Sequence, residues 1–130
     1  MSQTTSIKIG QHVGRTGLSS LFLLGGINKV ANFAATTERM ESVGLAPAIV
    51  LLPATIALEL ICGAMLVLKA QFAWIAALLL AVFTLATNLY FHTFWTLDGD
   101  LRALELSLFF KNVAIAGALI FAASVLVPSD

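Results

Sequence analysis

Long apolar stretches separated by short polar breaks dominate the pattern of residues along this chain. A helix needs about 20 mostly apolar residues to cross a hydrocarbon core of about 30 Å. Four segments meet this requirement: 14–33, 46–68, 72–94 and 103–127. The breaks between them are short, so consecutive helices are expected to pack as antiparallel neighbours. The pattern predicts an all-α protein, an integral membrane four-helix bundle with up-down-up-down topology that forms one domain over residues 1–130.

A soluble helical bundle is the alternative, and the same pattern argues against it. A surface helix in water shows one polar face at the helical period, yet segment 73–86 holds one polar residue, Thr84. Hydrophobic residues make up 59% of the chain and charged residues 11%, against about 25% charged in soluble domains. The mean hydropathy is +0.97. The formal net charge is zero, which gives no electrostatic basis for binding nucleic acid.

Basic residues near the helix ends give the expected orientation. Lys8, Arg15 and Lys69 fall on one side of the predicted bundle, whereas Arg39 and Arg102 fall on the other, beside acidic residues. Lysine and arginine near the ends of membrane helices favour the cytoplasmic side. The count predicts that both termini are cytoplasmic.

Ionisable and amide side chains lie inside the predicted spans, where they are costly and mark either function or internal pairing. The candidates are Arg15, Lys29, Glu59, Asn88, His92, Lys111 and Asn112. Two interpretations are open. In the first, these groups hold the helices together, with Glu59 paired to Lys111 or Arg15. In the second, they line a ligand pocket or proton relay that opens toward the non-cytoplasmic face.

Neither metal binding nor thiol chemistry is indicated. His92 has no second inward histidine or Cys/His cluster near it, so no metal site is predicted. The single cysteine, Cys62, has no partner for an internal disulfide or a CxxC pair. No catalytic residue is assigned from the sequence.

Several short motifs, taken in order, resemble a known family. They are FLLGGINK at 22–29, ELICG at 59–63, FHTFW at 91–95 and KNVAIAG at 111–117. This ordered set resembles the DoxX family of small bacterial inner-membrane proteins. The resemblance implies a four-helix fold in the cytoplasmic (inner) membrane and an association with quinone-linked oxidoreductase systems and oxidative-stress complexes. The positions that match the family pattern are Arg15, Lys29, Glu59, His92, Lys111 and Asn112.

Three functions remain open at this point. The first is an accessory subunit of a membrane redox system that binds a quinone or another small ligand, with redox proteins as partners. The second is a structural subunit that stabilises a membrane complex or forms a homo-oligomer. The third is a small proton-coupled transporter that uses Glu59, although four-helix exporters carry their essential carboxylate on the first helix and this chain carries it on the second.

Overall fold

The described part of the chain folds into five α-helices and one short 3-10 turn. The computed structural model describes residues 1–129. In chain order the elements are α1 (Gln3–Ala31), α2 (Phe33–Ser42), α3 (Ala48–Leu68), α4 (Ala73–Phe91), the 3-10 turn (Phe94–Thr96) and α5 (Gly99–Leu126). No strand occurs among these residues. The all-α prediction is confirmed for the part of the chain that the structure describes.

Three of the helices are individually long and apolar enough to cross a membrane: α3, α4 with its 3-10 extension, and α5. The helices α1 and α2 meet this criterion only together, as a pair bent by 100° at Asn32. Residues 1–129 therefore contain three candidate membrane spans by length and composition, or four if the bent pair counts as one.

The predicted polar break at 34–45 is wrong in its conformation. Most of it forms α2, which continues from α1 after the single residue Asn32. Met40 of α2 packs with Ala48 and Leu52 from the start of α3. The charged residues of this segment lower its average hydropathy. The average therefore does not reveal the apolar contact that Met40 makes with α3.

Two helix starts also differ from the prediction. α1 begins at Gln3, because the hydroxyl oxygen of Ser2 accepts a hydrogen bond from the backbone N–H of Thr5 at 3.2 Å and so caps the first turn. α5 begins at Gly99, inside the predicted break 95–102, with Asp98 as the residue before it. Both helices therefore begin before the apolar segments that predicted them.

The main core lies where α1, α3, α4 and α5 meet. Its largest fully buried residues include Leu66 of α3, Leu80 of α4 and Leu119 of α5. Small residues such as Ala77 fill the rest of the contact between the helices. Many large apolar side chains point away from this core, among them Val82 with an exposed fraction of 67%. An apolar exterior of this extent fits a lipid environment.

Candidate functional site

An ion pair between α1 and α3 lies at the centre of the candidate site. The ammonium nitrogen of Lys29 is 3.0 Å from Oε1 and 2.9 Å from Oε2 of Glu59. Only the contact with Oε1 has hydrogen-bond geometry. Oε2 is buried and has no hydrogen-bond partner among the described residues. The Glu59 side chain is 6% exposed and that of Lys29 is 26% exposed. The expected pairing of Glu59 with Lys111 or Arg15 is therefore wrong, and its partner is Lys29.

Glycines on α1 bring the two helices close enough for this contact. A Cβ atom at Gly25 would lie 3.3 Å from Glu59 Oε1, and one at Gly26 would lie 2.7 Å from Cδ2 of Leu60. On α3, a Cβ atom at Gly63 would lie 3.1 Å from the Leu23 side chain. Small residues of this kind allow close contact of membrane helices.

Two asparagines connect α4 with α5 beside the ion pair. The Asn112 amide donates to Oδ1 of Asn88 at 2.9 Å, and the Asn88 amide donates to the carbonyl oxygen of Phe109 at 3.1 Å. Asn88 is 1% exposed. Buried amides with partners of this kind fix the register of two helices.

His92 follows the last residue of α4 and contacts α5. Its Nδ1 lies 2.6 Å from Oε2 of Glu105, with the donor set by the tautomer and protonation of the ring. Phe94, Trp95 and Phe109 form edge-to-face ring contacts next to this pair. The contact ties the end of α4 to the first turns of α5.

The remaining two candidates lie away from this group. Lys111 is exposed on α5, so the prediction that it points into the interior is wrong. Its neighbour Asn112 takes the inward position, and successive residues on a helix face directions about 100° apart. Arg15 lies near the middle of α1, about four helical turns from Lys29, and its Nε donates to the carbonyl oxygen of Leu66 near the end of α3 at 3.1 Å.

A cavity of about 500 Å³ opens beside the Lys29–Glu59 pair. Lys29, Glu59, His92 and Asn112 line it, while Asn88 supports it from behind through Asn112. Apolar and aromatic residues form most of the remaining wall: Leu21, Phe22, Leu45, Leu51, Phe83, Ala86, Tyr90 and Phe91.

The sequence did not identify several polar residues of this cavity. They are Thr36, Arg39, Thr55, Thr84 and Thr87. Thr84, Thr87 and Asn88 share one face of an otherwise apolar helix, at spacings of three and four. That stripe of polar residues indicates from the sequence which face of α4 lines a polar site. The apolar pattern leaves Arg39 in the break between the first two predicted spans, whereas α2 places its guanidinium 5.7 Å from the centroid of the Phe91 ring, within reach of a cation–π contact.

Within residues 1–129, no group of three or more histidine, cysteine, aspartate or glutamate side chains lies close enough to hold a metal ion. Cys62 is buried and unpaired in this part of the chain. The polar groups that converge on the cavity are thus hydrogen-bonding and ionic groups.

Comparisons with known proteins give the family. The DoxX family model matches residues 10–93, from α1 through α4. The inner membrane protein YphA of Escherichia coli (strain K12) is 32% identical over 112 residues, which cover 85% of this chain and 79% of the relative. No solved structure matches the chain.

These matches agree with the helices that the structure describes. Three helices, or four with the bent pair, are suited to crossing a membrane, and the similar protein is named for the inner membrane. Both findings support a multi-pass inner membrane protein. The chain is a small integral membrane protein that belongs to the DoxX family.

Proposed function

We propose that this protein is an accessory subunit of a membrane redox system and that its cavity binds the ring of a lipoquinone. The observation that carries the proposal is the cavity itself. Its volume of about 500 Å³ lies in the range of small-molecule sites, which are mostly apolar with a few convergent polar groups.

The polar groups have donors left for a ligand. An ammonium group has three N–H donors, and Lys29 contacts one residue, Glu59, within hydrogen-bond distance. An amide has two N–H donors, and one from Asn112 is used by Asn88. A quinone presents two carbonyl oxygens that accept hydrogen bonds. Lys29 and Asn112 are the proposed donors to one of these oxygens. His92 is the proposed donor to the other through Nε2, in the form of the ring that carries a proton on both nitrogens and donates from Nδ1 to Glu105.

Glu59 is the proposed proton relay of this site. Reduction of a quinone takes up protons, and Glu59 is a carboxylate inside the membrane with Lys29 as its counter-ion. The electrons would come from partner proteins of the redox system. In this proposal the chain supplies binding, orientation and proton transfer.

We also propose four membrane crossings in up-down-up-down order within one domain, with both termini in the cytoplasm. α1 forms the first crossing and α2 lies along the membrane surface, since the 100° bend sets α2 nearly perpendicular to α1. The composition of α2 supports this position: Met40 is buried against α3, whereas Glu38, Arg39 and Glu41 are exposed. One apolar and one charged face are typical of interfacial helices.

A structural subunit is the second candidate. Gly17 on α1 and Gly117 on α5 have no neighbouring atom within 4 Å of a Cβ built on them, so a helix of a partner or of a second copy could approach closely there. The transporter hypothesis has less support, because the carboxylate it requires lies on α3, the second predicted span, and not on the first span as in four-helix exporters.

Native mass spectrometry of the wild-type chain extracted from membranes tests the redox proposal and its alternative together. A bound lipoquinone is the expected result. A stoichiometric protein partner without quinone would favour the structural subunit and contradict quinone binding.

Titration with a short-chain quinone then tests the site. In the double variant Lys29→Gln with Glu59→Gln, both charges are lost together, so no unpaired ion remains buried. We expect about tenfold weaker binding, equivalent to one charged hydrogen bond. Lys111→Gln is the matched control, because Lys111 is exposed and does not line the cavity. Equal affinity of the double variant and the wild type would contradict the proposed site.

A further inference from the structure

A second groove, of about 540 Å³, lies between α1 and α5 near the chain termini. We propose that it binds a phospholipid with an anionic headgroup, whose phosphate contacts Arg15 and whose acyl chain lies along α1 and α5. This inference does not depend on quinone binding, because the groove shares no lining residue with the cavity beside Glu59.

Arg15 supplies the charge for the headgroup. Its Nε donates to the carbonyl oxygen of Leu66, which fixes the guanidinium at the edge of the groove. The other four N–H donors of a guanidinium lie on the two Nη atoms. Among residues 1–129 no protein group accepts a hydrogen bond from them or forms an ion pair with Arg15. A guanidinium held in this way matches the geometry of a phosphate.

The position of Arg15 along the helices suits a headgroup at the membrane boundary. Leu66 lies two residues before the end of α3 at Leu68, which is about 3 Å along the helix axis. Lys8 lies two helical turns from Arg15 on the same face of α1 and farther from the bilayer centre. Basic residues at this depth attract anionic lipids.

Apart from Gln11, the rest of the groove is lined by glycine and apolar residues, which suit a hydrocarbon chain. From Arg15 toward the centre of the molecule its wall consists of Leu18 on α1 and Ala118 on α5, and from Arg15 toward the termini it includes Phe121, Ala122 and Val125. Gly14 adds no side chain and leaves open space above the backbone of α1. An acyl chain that contacts Leu18 and Ala118 leaves its headgroup at the level of Arg15.

The charge distribution at this end favours a lipid over a second copy of the chain. Residues 1–18, 60–72 and 115–130 contain three basic residues, Lys8, Arg15 and Lys69, and one acidic residue, Asp130. No acidic residue is among those that line the groove. A symmetric dimer through the groove would place the same surface of each copy against the other. It would therefore bring two Arg15 side chains together without a counter-ion, whereas an anionic lipid supplies one.

Native mass spectrometry of the whole chain in detergent tests this site with two lipids of identical acyl chains. We expect phosphatidylglycerol to bind about fivefold more tightly than phosphatidylcholine, as one interfacial cation implies. Arg15→Gln should abolish this preference and Arg15→Lys should keep most of it. Arg102→Gln is the matched control, because Arg102 is an exposed cation that lines neither cavity. Ala118→Trp, which fills the groove, should reduce the occupancy of both lipids.

Several outcomes would overturn the proposal. Equal binding of the two lipids by the wild type would remove the headgroup site, as would a preference that survives in Arg15→Gln. Displacement of phosphatidylglycerol by inorganic phosphate would indicate a site for a free anion. A lipid-free dimer that Ala118→Trp converts to a monomer would show that the groove is an interface between copies. If Arg15→Gln fails to fold, Arg15→Lys and Ala118→Trp still decide the question.

Discussion

The Lys29–Glu59 pair places a charged carboxylate where water hardly reaches it. The Glu59 side chain is 6% exposed and its partner comes from another helix. The cost of burying such a group is met only while its counter-ion stays in contact. Removal of one partner is therefore more damaging than removal of both.

We expect Lys29→Met to lower the free energy of unfolding by about 3 kcal/mol, since it leaves the Glu59 carboxylate buried without a counter-ion. The double variant Lys29→Gln with Glu59→Gln should lose clearly less, because two amides can hydrogen-bond to each other. Unfolding by sodium dodecyl sulfate in mixed micelles, followed by circular dichroism, measures both. A Lys29→Met variant that is as stable as the double variant would show that the ion pair does not carry this energy.

Individual site residues could be identified from the sequence more readily than their partners. Ionisable groups in an apolar span are conspicuous, so Lys29, Glu59 and His92 were identified, and the structure places all three on one cavity. The sequence does not show how far each helix extends past its neighbours. The structure places Gly25 beside Glu59. Because α1 has only six more residues after Gly25 and α3 has eleven before Glu59, the end of α1 does not reach the level at which α3 starts.

At the scale of helices, the offset between α1 and α3 explains α2. Five residues of α3, 48–52, extend beyond the position that faces the end of α1, a distance of about 8 Å. α2 packs there, with Met40 against Ala48 and Leu52. Hydropathy identifies a helix through its lipid-facing residues, so it locates α3 and α4 well. It does not locate α2, whose helical state depends on this tertiary contact.

The contact between α1 and α3 depends on glycine at its centre. A Cβ atom at Gly26 would lie 2.7 Å from Cδ2 and 2.8 Å from Cγ of Leu60, so Leu60 must move. We expect Gly26→Ala to destabilise the protein by about 1–3 kcal/mol, the usual cost of overpacking. Thermal unfolding in detergent is the measurement.

Gly117→Ala is the matched control for this prediction. Gly117 also lies within a helix, but a Cβ atom there meets nothing within 4 Å. Its effect should stay within about 0.5 kcal/mol, as for ordinary surface substitutions. Equal melting temperatures for the two variants would show that α1 and α3 are not held at the distance described here.

At the scale of the whole molecule, the number of crossings fixes the relation between the termini. Four crossings place both ends of the chain on one side, whereas three crossings without α1 place them on opposite sides. The groove between α1 and α5 is lined by Ile7 near one terminus and by Leu126 near the other, which agrees with termini at the same end of the molecule.

We expect epitope tags at the N-terminus and the C-terminus to be protected equally from protease added to spheroplasts, because both termini are proposed to be cytoplasmic. A tag inserted after Asp98, between α4 and α5, is the control and should be cleaved. Cleavage of one terminal tag but not the other would show that α1 does not cross the membrane. Cleavage of both would show that both termini lie outside the cytoplasm, which would contradict the orientation predicted from Lys8, Arg15 and Lys69.

The sharp bend at Asn32 also determines how molecules reach the cavity beside Glu59. α2 turns across this end of the molecule and contributes Thr36, Arg39 and Met40 to the cavity wall. Because α2 covers part of the cavity on this side, we expect a solute to enter more readily from the hydrocarbon than from the aqueous phase. We therefore expect occupancy to follow the partition coefficient of a compound between oil and water more closely than its aqueous concentration.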